Sequence, residues 1–331
     1  PVKGTQRPPK LPAPAGAATR SGRARRGAIR RRPPATGRYN RADDSRRLPF
    51  RVAARAGPRV APVIDDPVLA VAVRAARRAG AVIADAARDL KRLAAHARAH
   101  ADIASSADAD AENAIIATLR AAFPEHAILG EETGETPAAA ASGAPGGYRW
   151  IVDPIDGSAN FVHGYPYYAV SIALTHGQEI THAVVHDPVR DELFTAIRGK
   201  GAQLNGTPLR VSACTALDAA LVGTVFPAPA SPRLPAYLGV FNALLPRCAG
   251  IRRAGACALD LAYLAAGRLD GFWVMSLEPW DVAAGALLVR EAGGRVGDFA
   301  GGGDFLRTNE VIAAAPGVFS SLRETVAAAL P

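Results

Sequence analysis

Four groups of carboxylates carry most of the chemical potential of this sequence: Glu131-Glu132, Asp153 with Asp156, Asp281, and the pair Asp108/Asp110. Each is expected where a strand hands over to a loop or helix. An ionised acid in such a place is costly to desolvate without a counter-charge. A hard divalent cation supplies that charge, and Mg²⁺ takes oxygen ligands in an octahedron. Asp153 and Asp156 stand three apart around Pro154. That spacing allows both carboxylates, with the Ile155 carbonyl between them, to converge on one or two ions. Gly157-Ser158 then open a short helix whose free N–H groups offer an anion site. A metal beside a phosphate cradle is the layout of metal-dependent phosphoryl transfer.

Taken singly, the same pieces read as ordinary structure. Glu131-Glu132-Thr133-Gly134 suits a solvated turn, and Asp153-Pro154-Ile155-Asp156-Gly157 suits a plain one. Pro279-Trp280-Asp281 fits an aromatic anchor with an N-cap, before a helix ending at Gly293-Gly294. Asp108-Ala109-Asp110-Ala111-Glu112 is no EF-hand, because the Gly and Glu required at its sixth and twelfth places are Asn113 and Leu119. No apolar strand precedes that pair, which argues against a phosphoaspartate nucleophile. Phosphate-binding GxxxxGK[ST] loops, GxSxG elbows and HExxH spacings are absent. His163 and His186 read as ordinary polar residues, and Cys257, without a recognisable His partner, as a small buried one.

The elements that must position these acids follow from apolar spacing. Asp65-Asp66-Pro67 predicts an N-cap, followed by a helix with Val68, Leu69, Val73, Ala76, Ala79, Val82 and Ile83 on one stripe. A second helix is expected from about Asp110 to Phe123, stopped by Pro124. Strand-like segments follow at 127–129, 148–152, 170–175, 183–186 and 193–197, the last three as an antiparallel set, with a Gly/Ala/Pro loop over 133–147. From about Gly206 the pattern alternates, with strands at 221–225, 272–275 and 311–314 and helices at 234–245, 258–266 and 281–292. The fold class expected is α/β (α+β) in layers, divided into an N-terminal metal-binding half, 61–205, and a C-terminal half, 206–331.

Residues 1–60 stand apart. They hold 17 Lys/Arg against 2 Asp, a net of +15, whereas residues 61–331 hold 22 against 28, a net of −6. The overall charge of +9 therefore belongs to the tail, and the body is mildly acidic. With nine prolines and little aliphatic clustering, the tail is expected to be disordered. It suits a nucleic-acid arm; few serines weaken a transit peptide. The reading preferred is a segment with no folded role, or an extended start, its Arg excess (35 Arg, 4 Lys overall) reflecting GC-rich codons. No apolar run reaches the ~20 residues of a membrane span, and no apolar h-region follows the basic start. Three scattered cysteines give no disulfide framework. A reduced, cytoplasmic setting is the expectation.

In combination and in order, the motifs resemble those of the inositol monophosphatase family. The segments are Leu129-Gly-Glu-Glu-Thr-Gly134, Trp150-Ile-Val-Asp-Pro-Ile-Asp-Gly-Ser-Ala-Asn-Phe161, Gly164-x-Pro166 with Val170-Ser-Ile-Ala-Leu174, and Pro279-Trp-Asp-Val-Ala-Ala-Gly285 with Glu291-Ala-Gly-Gly294. The likeness covers about residues 65–330. It implies a layered α-β-α-β-α sandwich shared with sugar bisphosphatases, commonly a homodimer, and a Mg²⁺-dependent phosphatase of small phosphate esters. By position, the resemblance puts Glu131, Asp153 and the Ile155 carbonyl around one ion, and Asp153, Asp156 and Asp281 around a second. A third ion is implied near Glu131 and Glu132. Gly157 and Ser158 would contact the phosphate. Asp108, paired with Ser158 and acting with Glu131, would orient and deprotonate the attacking water, with no phosphoenzyme. Arg252, Gly255 and Cys257 fall in the segment lining the substrate's polyol side, and Asp156 and Asp281 also face the substrate.

Three departures bear on substrate. Ser158 and Ser105 stand where many members have Thr, and Arg98 where a Lys near the phosphate is usual. Val274 replaces a Glu that contacts ring hydroxyls in inositol-hydrolysing relatives. myo-Inositol 1-phosphate is the substrate expected first. Histidinol phosphate, a sugar bisphosphate and a nucleotide 3′-phosphate are the alternatives within catalysis. An RNA-associated protein using the basic tail on an inactive body is the alternative outside it.

Overall fold

A computed structural model describes residues 65–92, 97–138 and 147–330. The expected disordered tail and the side chain of Arg98 lie outside the described residues. The chain begins with two long helices, α1 (Pro67–Arg92) and α2 (Ala97–Ala122). Asp66 starts the first as expected, its Oδ1 accepting the N–H groups of Val68 and Leu69 at 3.1 Å each. The second begins well before Asp110. Ala107, Ala111, Ile115 and Leu119 recur every four residues on its buried face, and this stripe outweighs the polar side chains at 105–110. Asp108 and Asp110 therefore lie inside a helix, not at a strand end.

Strands β1 (Ala127–Gly130), β2 (Gly134–Thr136) and β3 (Tyr148–Asp156) precede the one-and-a-half-turn helix α3 (Ser158–Val162). Then come β4 (Ala169–His176), β5 (Glu179–Asp187), β6 (Glu192–Ile197), β7 (Gly201–Leu204) and β8 (Thr207–Pro208). These eight strands form one sheet in the order β2-β1-β3-β4-β5-β6-β7-β8. Only β1 and β3 pair in parallel. The short β2, β7 and β8 escape periodicity because few of their side chains are buried.

The remainder runs β9 (Leu221–Thr224), α4 (Leu234–Leu244), β10 (Gly250–Arg252), α5 (Cys257–Ala265), β11 (Gly271–Met275), α6 (Pro279–Glu291), β12 (Arg295–Gly297), α7 (Phe305–Thr308), β13 (Glu310–Ala314) and α8 (Pro316–Ala328). Its five strands form a second sheet, β10-β9-β11-β13-β12. Alternation along the strands sorts side chains between three cores. Trp150 and Val152 of β3, with Val170, Ile172 and Leu174 of β4, pack under α1 and α2. Ile151, Ala173, Phe272 and Val274 face the central pair α5 and α6. Trp273 and Met275 face α4 and α8. The result is a helix pair, a sheet, a helix pair, a sheet and a helix pair, the α-β-α-β-α layering expected. Among the described residues no helix is long and apolar enough to cross a membrane.

Candidate active site

The centre of the site is made by an irregularity in β3. In a regular strand, residues three apart point to opposite faces, which would separate Asp153 from Asp156. Here Asp153 pairs with Ser171 and Asp156 with Ala169, so β3 uses one residue more than β4. This bulge re-aims the strand, and Pro154 occupies it without forfeiting a ladder N–H. Ile151 faces α5 and α6, while Ile155, which strict alternation would place beside it, turns to the opposite core. Asp153 and Asp156 thereby reach the same side as Asp281 of α6. The three offer carboxylate oxygens that all lie within 4.8 Å of one another.

Each acid has a distinct support. Asp156 sits at the buried N-terminus of α5 and accepts N–H bonds from Cys257 (2.9 Å), Ala258 (2.7 Å) and Leu259 (3.3 Å). Asp281 is not an N-cap. Glu278 holds that position, and Asp281, three residues later, accepts the Glu278 N–H at 2.8 Å. Asp153 is buried, and among the described residues its Oδ1 has no hydrogen-bond partner. Glu131 follows β1, and its N–H donates to the Val152 carbonyl at 3.2 Å. Although Glu131 as a residue is exposed, its carboxyl is turned against that of Asp153.

Crowding shows in the proton affinities. Burial first, then the charges of Glu131, Asp156 and Asp281, holds Asp153 well above the usual carboxylate range. Burial and Asp281 raise Asp156, against the opposing pull of the Cys257 and Leu259 N–H groups. Asp281 is pushed up to about 7, chiefly by burial, with Glu131 and Glu278 adding repulsion. Asp108 reaches about 7 through burial and the charges of Glu131, Glu132 and Glu112. Among the described residues no Lys or Arg forms an ion pair with any of these acids. A cluster of buried, mutually repelling oxygens with an orphaned acceptor at its centre fits a hard divalent cation.

The Gly157–Ser158 turn, where an anion site is expected, follows directly on Asp156. Gly157 adopts φ 93° as the residue before α3, a conformation that favours glycine. A Cβ here would also press on the Ala256 side chain and the Tyr167 carbonyl, both 3.1 Å away. Gly157→Ala is therefore expected to distort the turn, lowering stability by roughly 1–2 kcal/mol and turnover more than tenfold; thermal melting with phosphate-release kinetics would measure both.

The other expected residues are placed unevenly. Ser158 is exposed at the start of α3. Asp108 lies close enough to Glu131 and Glu132 to feel their charge, and among the described residues no hydrogen bond joins it to Ser158. Glu132 is exposed beside Glu131. Cys257 is buried, and burial together with Asp281 and Asp156 pushes its thiol well up. Gly255, at φ 94°, packs its carbonyl against Gly157. Arg252 is exposed on β10, and its guanidinium donates to the neighbouring Ile251 carbonyl. Val274 is wholly buried in the core between the sheets.

Sequence reasoning missed the supporting layer. Tyr167 donates to Asp260 at 2.6 Å in the first turns of α5, beneath Asp156. Asp260 is buried, its Oδ2 has no partner among the described residues, and burial raises it to about 7. Asn160 ties α3 to the 254–257 segment by donating to the carbonyls of Tyr167 (2.7 Å) and Ala254 (2.9 Å). Glu112 grips the turn that follows Glu131. Only Glu112 left a signal, one helical turn beyond Asp108.

Comparison with known proteins agrees with this architecture. The profile of the inositol monophosphatase family matches residues 64–330. Nus factor SuhB of Pseudomonas aeruginosa is 48% identical over 268 residues, covering 80% of this chain and 98% of that protein. Among solved structures, the extragenic suppressor protein suhB of Bartonella henselae superimposes with a TM-score of 0.70 at 39% identity, covering 79% of this chain and 99% of that one. Inositol monophosphatase from Anabaena gives 0.68 at 33% identity, covering 80% and 96%. With its layered sheets, its acid cluster and a family match over nearly all the described residues, this chain belongs to the inositol monophosphatase family.

Proposed function

We propose that the chain is a Mg²⁺-dependent phosphomonoesterase that hydrolyses a small polyol phosphate. The observation that carries this reading is the convergence of Asp153, Asp156 and Asp281 beside the Gly157–Ser158 turn. In it, Glu131, Asp153, the Ile155 carbonyl, Asp156 and Asp281 hold two ions, with Glu132 available to a third. When bound, Mg²⁺ supplies neutralisation of the phosphate charge and a lowered pKa for water. The 61–205 half supplies most of these ligands, and the 206–331 half supplies Asp281 and the helix that holds Asp156.

The chain's own residues then perform the remaining work. The N–H groups and hydroxyl at Gly157 and Ser158 bind the phosphate oxygens, where transition-state charge accumulates. Glu131 and Asp108 orient the attacking water and take up its proton; the water oxygen bonds to phosphorus in line as the ester P–O bond breaks, and the departing alkoxide takes a proton from solvent, with no covalent enzyme intermediate. Arg252, Gly255 and Cys257 belong to the segment facing the leaving alcohol, with Asp156 and Asp281 beside it. Because Val274 offers that alcohol no acceptor, myo-inositol 1-phosphate is the first substrate to try rather than the settled one. The working form in this reading is a cytoplasmic homodimer.

Phosphate release from a panel of monoesters, with Mg²⁺ or with chelator, tests the reading. Release that needs Mg²⁺ and favours inositol 1-phosphate is expected; histidinol phosphate, sugar bisphosphates and nucleotide 3′-phosphates as better substrates would move the substrate but keep the chemistry. Absence of release from every ester would sink it. A second reading is favoured by the name Nus factor carried by relatives up to 48% identical: the chain also works as a binding factor, with residues 1–60, net +15, contacting nucleic acid. RNA affinity of the full chain, falling steeply with salt and lost without residues 1–60, would support it.

A further inference from the structure

The turn that carries Glu131 and Glu132 is held by a third acid. Glu112, wholly buried on α2, accepts the N–H of Glu132 on Oε2 at 3.0 Å and the N–H of Thr133 on Oε1 at 2.8 Å. The preceding residue is shaped to admit this carboxylate. A Cβ on Gly130 would lie 2.6 Å from the Glu112 carboxyl group, far inside contact distance. Gly130 itself closes the β1–β2 hairpin opposite Gly134 and also pairs with Val152 of β3.

Three successive N–H groups are thus fixed. That of Glu131 goes to the Val152 carbonyl of β3, next to Asp153, and the following two go to Glu112. One attachment sets Glu131 against Asp153, and the other sets the turn against α2, where Asp108 lies one helical turn before Glu112. Only a carboxylate meets both turn N–H groups with acceptor oxygens. Gln in the same place would face one of them with its NH₂. Alanine would leave two N–H groups without partners.

We infer that Glu112 is a positioning residue that clamps the Glu131–Thr133 turn, and that divalent-ion affinity depends on this clamp. The inference rests on the metal-site reading above and deepens it. Outer partners that orient metal ligands contribute roughly 10–100-fold to affinity.

Equilibrium titration of the full chain with Mn²⁺ tests it, using wild type, Glu112→Gln and, as a reference for a damaged site, Asp153→Asn. For folded Glu112→Gln the binding midpoint is expected to rise roughly 10–100-fold, with the number of ions unchanged and kcat at saturating ion within about threefold of wild type. A folded variant whose midpoint stays at the wild-type value would overturn the clamp, even if its melting temperature falls. Should the variant not fold, amide hydrogen exchange of metal-free wild type decides. The clamp requires the Glu132 and Thr133 amides, in an exposed turn, to exchange far more slowly than unprotected amides; exchange at the unprotected rate contradicts it. If wild type itself binds no Mn²⁺, the metal reading fails, while the amide measurement still judges whether Glu112 grips the turn.

Discussion

Asp153→Asn will abolish turnover and yet leave the metal-free chain as stable as wild type or more so. Its carboxylate is the most crowded of the cluster, with Oδ1 lacking a hydrogen-bond partner among the described residues and its proton affinity raised by burial and three neighbouring acids. An isosteric amide removes that repulsion, which in the absence of an ion stabilises the fold. The same change removes an oxygen shared, in this reading, between two ions, and a loss of turnover of at least roughly 10³-fold follows. Asp156→Asn should lose activity equally but gain no stability, because one amide oxygen cannot replace a carboxylate accepting three α5 N–H groups. Thermal melting in chelator, alongside phosphate release in Mg²⁺, separates the two. A loss of stability in Asp153→Asn without change in activity would point to an ordinary structural acid.

The second large effect is a pH dependence that divalent ions reverse. Asp108 and Asp281, each near 7, and Asp153 and Asp156, held well above the usual carboxylate range, keep protons in the folded chain that the unfolded chain has released. A carboxyl raised on folding contributes stability at low pH, and that contribution is lost as pH rises toward its folded value. His126, His182 and His186 act oppositely, since burial lowers them and the unfolded chain then binds more protons below about 6.5. As pH rises above about 6.5 the imidazoles lose their charge in the unfolded chain too, so the acids come to dominate. Between pH 6.5 and 8 the metal-free melting temperature is therefore expected to fall by roughly 5–10 °C. Saturating Mg²⁺ should restore it, with a larger shift at pH 8 than at 6.5, because ligands must lose protons to bind. A flat metal-free profile with no Mg²⁺ shift would show that the acids are not forced together.

Much of this architecture could be read from the residues. Helix α1 announced itself through Asp66 and a clean apolar stripe, and β4, β5 and β6 through short apolar runs joined by polar turns, buried nearly throughout. The layering followed from the family motifs. The start of α2 was hidden because Ser105, Ser106, Asp108 and Asp110 look like the approach to a helix, whereas tertiary packing of Ala107 and Ala111 carries the helix through them. Of the site, the acids of β3 and α6 were legible as spaced motifs. The bulge that lets Asp153 and Asp156 share a face was only hinted at by Pro154, since register depends on the partner strand. Tyr167–Asp260 was illegible for a related reason, and Glu112 showed only its place one helical turn beyond Asp108 and not what it holds: the partners are 93, 20 and 21 residues away.

The acid cluster either gathers divalent ions or it does not, and equilibrium binding of Mn²⁺ to the metal-free full chain at pH 7.5, with the bound ions counted, answers this most directly. Two ions per chain are expected, bound saturably with proton release, displaced by Mg²⁺ and lost in Asp153→Asn. Binding that never saturates, or that is equally strong in Asp153→Asn, would contradict a metal centre built on Glu131, Asp153, Asp156 and Asp281.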